Sequence, residues 1–174
     1  DSYRPISLQS YVKATTDIIN KIKNIGTVPA NSYLVYMDVT SLYTNIPNNE
    51  GLDALEEALN RRQHKSPANV VIVTLMRLIL MLNNFVFNGL NYLQIKGCAM
   101  GTNSAPSYAN VFMGKYEETY IYPYIMGLYK IYLRYIDDIF MLWTGTKQQF
   151  KNFIDNLNQN HPSIKLIYKI FNKE

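Results

Sequence analysis

Apolar and polar residues follow two different periods along this chain, which predict a mixture of helices and strands. Spacings of three and four predict helices over residues 7–23, 50–62, 66–82, 108–120 and 147–158. Runs rich in β-branched and aromatic residues predict strands over residues 32–43, 85–95, 131–143 and 163–170. The second and third of these runs are expected to be hairpins, because Asn88-Gly89 and an acidic pair interrupt them. This order of elements predicts a mixed α+β fold.

The most hydrophobic stretch, residues 70–82, is expected to be a buried helix. It is too short to span a bilayer and it contains Arg77, so we predict no membrane association.

Two adjacent acids, Asp137 and Asp138, fall at or near the turn of the hairpin over residues 131–143. One interpretation is a surface hairpin with a polar tip. The flanks are so apolar, however, that the hairpin is expected to lie in a core, where carboxylates are costly unless a cation meets them. Asp38 lies near the end of another apolar strand, and three carboxylates on strand ends indicate a site for hard divalent cations. Such a site requires the two strands to be neighbours in one sheet.

A loop of small residues, 96–106, leads into the fourth predicted helix. Glycines at a helix entrance let backbone amides approach a phosphate or a base. The same composition also suits a loop that only turns a corner, and the residues alone leave both interpretations open.

The composition is that of a globular protein of a reducing, intracellular compartment. The 174 residues are 48% hydrophobic and 17% charged, which suits one domain, or a large piece of one, over residues 1–174. The net charge of +4 permits a polyanionic partner without demanding one. A single cysteine, Cys98, excludes an internal disulfide framework. The chain starts and ends abruptly, so we expect it to be a segment of a longer protein.

Three segments resemble motifs A, B and C of reverse transcriptases, in that order: residues 38–47, the loop 97–106 and Tyr135-Ile136-Asp137-Asp138. They are most similar to the enzymes of Penelope-like retroelements. Those share the phrase 38–47, an aromatic-Gly-aromatic hairpin before a Met-Gly loop, and an Ile-Asp-Asp-Ile-Phe core ending near a Trp. Residues 163–165 resemble the motif D region of the same group, and the resemblance covers nearly the whole chain from Asp38 onward.

The resemblance implies a polymerase palm, which is a small antiparallel sheet with an RRM-like core, backed by helices, with part of the fingers inserted at about residues 50–96. It implies an RNA-directed DNA polymerase that transfers deoxynucleotides from their triphosphates to the 3′-hydroxyl of a primer on an RNA or DNA template, with release of pyrophosphate. Asp38, Asp137 and Asp138 would be catalytic. Asp38 and Asp137 would bind two Mg²⁺ ions, for which Mn²⁺ could substitute, and the carbonyl of Val39 would complete one shell. Asp138 would be a weaker or indirect ligand.

The resemblance also implies contacts with the nucleotide. Tyr43 would pack under the incoming sugar and exclude a 2′-hydroxyl, with ordinary packing as the alternative. A further group would shape the floor under nucleotide and template: Met100, Gly101, Ala105 and Pro106. Met100 replaces the Gln of many reverse transcriptases, which removes a side-chain amide at this position.

Other side chains are expected at the template and primer: Tyr92, Gln94, Arg134 and Tyr135. For Tyr92 and Gln94, core or edge packing is an equal alternative. For Arg134, an ordinary solvated charge is the alternative to a contact with primer phosphates.

The chain falls short of a whole polymerase. No residue before Asp38 matches the basic fingers residues that grip the triphosphate, and the thumb would follow residue 174. We therefore expect this segment to bind primer–template weakly and to extend it poorly. The resemblance implies a thumb elsewhere in the full-length protein, and Penelope-like elements often carry a nuclease domain as well. The retroelement life cycle implies nuclear residence. Two alternatives stay open: a telomerase-like or RNA-copying polymerase, and a non-catalytic palm-like remnant that only binds nucleic acid.

Overall fold

The computed structural model describes residues 10–171. Its helices and strands are, in order, α1 (Thr15–Lys23), β1 (Tyr33–Val39), α2 (Leu42–Asn45), α3 (Asn48–Asn60), α4 (Asn69–Met81), β2 (Asn84–Phe87), β3 (Leu90–Leu93), α5 (Ala105–Tyr116), a π-helical turn (Glu117–Ile121), α6 (Tyr122–Ile125), β4 (Tyr129–Tyr135), β5 (Asp138–Trp143), α7 (Lys147–Asn160) and β6 (Leu166–Phe171). These elements form two compact units. Residues 41–115 form one, called here the inserted unit, and residues 10–40 with 116–171 form the other, called the sheet unit.

A four-stranded antiparallel sheet in the order β4-β5-β1-β6 forms the centre of the sheet unit. Alternation along β1 divides its residues between a core face and an open face. Val35, Met37 and Val39 are buried on the core face, whereas Tyr36 and Asp38 lie on the open face and are partly exposed. The predicted pairing of the two aspartate-bearing strands is therefore confirmed.

Helix α7 covers the core face with an aromatic cluster. Trp143 of β5 packs edge-on against Phe150 with ring centroids 5.3 Å apart, and Tyr168 of β6 lies 5.2 Å from the same ring. Thr146 and Gln149 form a capping box that fixes the start of α7. Helix α7 thus packs on one face of the sheet, and Asp38 and Asp138 lie on the other face.

In the inserted unit, β2 and β3 form a hairpin whose turn residues, Asn88 and Gly89, both have positive φ. The predicted Asn-Gly turn is confirmed, since two central residues with φ > 0 are what such a turn requires. Helix α3 packs against α4, and Gly51 of α3 approaches α5 so closely that a Cβ there would lie 2.0 Å from Oη of Tyr108.

The expectation of a buried helix over residues 66–82 is wrong. The helix begins at Asn69, and only Met76 and Leu80 are buried. Val70 and Leu82 are 69% and 67% exposed. A uniformly hydrophobic helix is suited to burial, but its sequence does not identify the segment that would pack against it.

The first helix is also shorter than the predicted range of residues 7–23. Residues 7–9 lie outside the described range, and α1 starts only at Thr15. Tyr11 instead forms a parallel bridge with Arg134 of β4. Within residues 10–171, no helix combines the length and the apolar character needed to cross a membrane.

Candidate functional site

Strand pairing brings the three predicted aspartate residues to one end of the sheet. Asp38 lies directly across from Asp138 in the β1–β5 ladder, so both project from the open face. Asp137 lies in the turn that joins β4 to β5, and its carbonyl accepts a hydrogen bond of 3.2 Å from the amide of Val39. This backbone contact ties the acidic turn to the end of β1.

The turn contains a strained residue. Tyr135 pairs with Asp138, which leaves Ile136 and Asp137 as the connecting residues. Ile136 has φ of 55°, a region that β-branched side chains rarely occupy because of steric crowding. Strain of this kind persists only where the surroundings impose it, and it concentrates at functional sites.

The electrostatic environment of Asp38 is unfavourable to its charge. Burial raises the pKa of this carboxyl above its usual value, and the neighbouring Asp137 and Asp138 raise it further. A nearby cation would relieve such mutual repulsion.

Tyr36 also lies at the acidic site, although no sequence motif indicated it. Its hydroxyl donates a 2.6 Å hydrogen bond to Oδ1 of Asp138. The pKa of Tyr36 is raised to about 12. The hydrogen bond to Asp138 is the largest cause, and burial and the nearby acidic charges add to it. The available signal was its position two residues before Asp38, which places both on one face of a strand. Lys169 of β6, in register with Tyr36, adds a cation to the same face.

Among residues 10–171, no group of three or more His, Cys, Asp or Glu side chains is arranged as a ready-made metal site. Mg²⁺ seldom uses such a cage, because it is usually held by one or two carboxylates together with water and substrate phosphates. Asp38 and Asp137 supply carboxylate oxygens of this kind. The two groups repel each other electrostatically in the absence of a cation. The donor chemistry of these two carboxylates is of the kind that Mg²⁺ prefers.

The expectation that Arg134 meets primer phosphates does not agree with the structure. Its register with Ile139 places it on the core face, it is 0% exposed, and it forms an ion pair with Glu117. Tyr135, the next residue, is on the open face and 44% exposed, and its predicted contact with template or primer stays a prediction.

In the inserted unit, the small-residue loop contacts the backbone that follows motif A. The amide of Cys98 donates a 2.8 Å hydrogen bond to the carbonyl of Tyr43. A Cβ at Gly97 would lie 2.4 Å from the same carbonyl oxygen and 2.6 Å from Cα of Thr44. The structure thus brings Tyr43 and the loop together, and glycine is the residue that permits it.

The other predicted nucleotide residues follow this contact. Met100 is 72% exposed and Gly101 has a positive φ. Ala105 is buried at the start of α5, whereas Pro106 beside it is exposed. Their predicted contacts with a nucleotide stay predictions.

The two predicted template residues on the hairpin differ. Tyr92 is 42% exposed and stacks on Phe85 with ring centroids 5.5 Å apart. Gln94 accepts a hydrogen bond from the side chain of Asn83 and donates one to the carbonyl of Lys96. The side-chain amide of Gln94 is therefore engaged within the protein, and the predicted template contacts of both residues stay predictions.

Comparison with solved structures identifies a shared fold. The chain superposes on the telomerase of Candida albicans, solved with a TWJ fragment of telomeric RNA, with a TM-score of 0.75 and 12% identity over 99% of this chain and 33% of that one. For the apo telomerase of Candida tropicalis truncated from its C-terminal domain, the TM-score is 0.71 at 11% identity, over 95% and 37% of the two chains. The chain thus spans about a third of the length of these telomerases. No protein-family model matches it, and no curated protein does.

At this level of identity the likeness concerns the fold. The predicted fold class, an α+β palm with an antiparallel sheet backed by helices, is confirmed.

Proposed function

We propose that this chain is the palm and part of the fingers of an RNA-directed DNA polymerase encoded by a Penelope-like retroelement. The observation that carries the proposal is the placement of Asp38 directly across from Asp138, with Asp137 in the adjoining turn. Phosphoryl transfer depends on alignment and charge neutralisation more than on covalent chemistry by the protein. Two facing carboxylates and a third in the adjoining turn can therefore serve as the chemical centre.

The retroelement assignment rests on the sequence phrases of motifs A, B and C and their order. The phrase over residues 38–47 and the Ile-Asp-Asp-Ile-Phe core are the most specific parts. The fold shared with telomerase supports a templated polymerase, and the telomerase of Candida albicans binds telomeric RNA. By analogy, we propose an RNA or DNA template with its primer as the partner of this chain, with deoxynucleoside triphosphates as substrates.

In the proposed reaction the acidic residues divide their roles. Two Mg²⁺ ions, when bound, would supply the positive charge that activates the primer 3′-hydroxyl and stabilises the leaving pyrophosphate. Asp38 and Asp137 would hold these ions, with the carbonyl of Val39 as a further donor. Asp138 is engaged by Tyr36 through one oxygen, which suits the weaker or indirect role proposed for it.

The proposed nucleotide contacts depend on the loop of the inserted unit. The hydrogen bond from Cys98 to the Tyr43 carbonyl fixes the backbone that carries the Tyr43 ring. This anchoring supports a role for the ring in excluding a 2′-hydroxyl, because a steric filter works only if its side chain cannot retreat. Met100, Gly101, Ala105 and Pro106 would form the floor beneath the nucleotide.

The decisive experiment is a primer-extension assay on the 174-residue chain, with RNA and DNA templates and with deoxy- or ribonucleotides. Asp137→Asn is the test variant, and Asp155→Asn, an exposed acid on α7, is the matched control. We expect weak, Mg²⁺-dependent addition of deoxynucleotides that Asp137→Asn abolishes and Asp155→Asn leaves unchanged. Calorimetry with Mn²⁺ in the presence of primer–template and nucleotide measures the same site when extension is too weak to detect.

Other outcomes would select the alternatives. Addition of ribonucleotides on RNA would indicate an RNA-copying polymerase. Nucleic-acid binding that both variants retain, without metal binding or extension, would indicate a non-catalytic remnant and contradict the proposal.

A further inference from the structure

A buried ion pair lies on the core face of the sheet, directly behind the acidic turn. Arg134 of β4 and Glu117 of the π-helical turn are 0% and 1% exposed, and Nε of Arg134 lies 2.7 Å from Oε1 of Glu117. Charges are buried at a high desolvation cost, and such pairs are weak contributors to stability. Stability alone therefore does not explain why this ion pair is buried here.

The carboxylate of Glu117 is fully engaged. Oε2 accepts a 2.7 Å hydrogen bond from the hydroxyl of Ser10, and Oε1 accepts one of 3.0 Å from the hydroxyl of Tyr132. The backbone of Ser10 is also fixed, because its carbonyl accepts a 2.7 Å hydrogen bond from the amide of Arg134. A buried network in which the acceptor is satisfied from several sides is rigid.

Arg134 connects this network to the acidic turn. Its Nη1 donates a 3.0 Å hydrogen bond to the carbonyl of Ile136, the residue with φ of 55°. A planar guanidinium can hold the Glu117 carboxylate and a carbonyl at fixed relative positions, which a lysine ammonium on a flexible stem does not do. The strained residue that directly precedes Asp137 is thus held from behind by the ion pair.

We propose that Arg134, oriented by Glu117, is a positioning residue that holds the Ile136–Asp137 turn in its strained conformation and so aims the carboxylates at the open face. Its effect on the chemistry rests on the proposed function, whereas its effect on the turn does not. The network replaces the surface role first expected for Arg134.

The test compares Arg134→Lys with two controls in the 174-residue chain. Tyr132→Phe removes a hydrogen bond from the same carboxylate oxygen of Glu117 but leaves the contact of Arg134 with Ile136. Ile154→Val, in the buried face of α7, lowers stability away from the network. Amide hydrogen exchange of Val39 and of residues 136–138 reports the turn, and Mn²⁺ affinity measured by electron paramagnetic resonance reports the carboxylates.

For Arg134→Lys we expect exchange at these amides to accelerate about tenfold beyond the change explained by global stability. We also expect Mn²⁺ affinity to fall by about 10- to 100-fold, as for other residues that orient metal ligands. Both controls should leave both readouts nearly unchanged. If Arg134→Lys does not fold, Glu117→Gln, which keeps an acceptor but removes the charge, takes its place.

Turn amides that exchange no faster in Arg134→Lys than in the controls would overturn the inference. Absence of Mn²⁺ binding by the unaltered chain would instead count against the proposed function. In that event the exchange rates alone still decide whether Arg134 holds the turn.

Discussion

Tyr36 and Asp138 are joined across neighbouring strands by a 2.6 Å hydrogen bond that the phenol donates to Oδ1 of the carboxylate. Asp38 lies across from Asp138. Its pKa is raised mainly by burial and to a smaller extent by its acidic neighbours. The two facing acids thus lie in different environments. Environments of this kind let two carboxylates of the same type take different chemical roles.

Removing the phenolic hydroxyl should weaken this division. In Tyr36→Phe, Asp138 loses its donor and is free to compete for a metal ion with Asp38 and Asp137. We expect the rate of nucleotide addition to fall by about tenfold, as for other partners of ligating carboxylates, with little change in KM for the nucleotide. Single-nucleotide extension measures both. Tyr33→Phe removes a hydroxyl from the same strand as a control, and an equal loss in both variants would contradict the assignment.

The ionised carboxylate of Asp38 should destabilise the folded, metal-free protein at neutral pH. A carboxyl whose pKa is raised on folding contributes stability that is present below its unfolded pKa and is lost as pH rises through the folded value. Asp38→Asn should therefore raise the Tm at pH 7 by about 1–3 °C, and the advantage should disappear near pH 3. Thermal melts in chelator at the two pH values check this, with Asp155→Asn as the control. A lower Tm for Asp38→Asn at pH 7 would show the expectation to be wrong.

Two glycines with similar backbone angles should respond differently to alanine. Gly97 and Gly89 have φ of 72° and 75°, but only Gly97 lacks space for a Cβ, because backbone atoms of Tyr43 and Thr44 are in the way. We expect Gly97→Ala to lower the free energy of unfolding by about 2–5 kcal/mol through combined strain and overlap. Gly89→Ala should cost about 1–2 kcal/mol from the backbone angle alone. Urea unfolding of both variants measures the difference, and equal losses would contradict the close approach at Gly97.

Cys98 should be inert in the folded protein. Burial raises the pKa of its thiol to about 11, and the side chain is 1% exposed. Since the thiolate is the reactive form, labelling with a disulfide reagent at pH 8 should be slower than in the unfolded chain by about 10²-fold or more. Reaction with and without urea checks this. Rapid labelling of the native chain would show that the loop around Cys98 opens readily.

Tyr43→Ala tests the proposed sugar filter. Loss of the ring should let ribonucleotides be added, with discrimination against them reduced by about 10- to 100-fold through loss of a steric contact. Competition between the two nucleotide types in single-addition assays measures the ratio. A Tyr43→Phe control keeps the ring and should keep the discrimination, and a Tyr43→Ala protein that still rejected ribonucleotides would remove Tyr43 from this role.

The sequence predicted the acidic turn well because local patterns determine it. The apolar flanks of Asp137 and Asp138 and the alternation around Asp38 define strands, faces and a turn. Partners distant in sequence were not predictable in this way. Ser10 and Glu117 are 107 residues apart, yet they share a hydrogen bond in the core. For the same reason Arg134 was expected at the surface, since its sequence neighbours do not reveal the buried acid that pairs with it.

Helix α4 shows the opposite failure. Its composition indicates burial, but exposure depends on which other segment covers it, and Val70 and Leu82 stay largely exposed among the described residues. The hairpin beside it in sequence was predicted correctly, because the turn at Asn88-Gly89 is specified by its own residues.

The pairing of Asp38 with Asp138 in a single strand register has a consequence for how function would be lost. A slip of β1 by one residue would carry Asp38 to the opposite side of the sheet and bury it among apolar side chains. Successive residues of a strand alternate between faces, so a one-residue slip removes Asp38 from the acidic site completely. Titrating the metal-binding capacity of a preparation would therefore count the fraction of molecules in which β1 and β5 pair in the observed register.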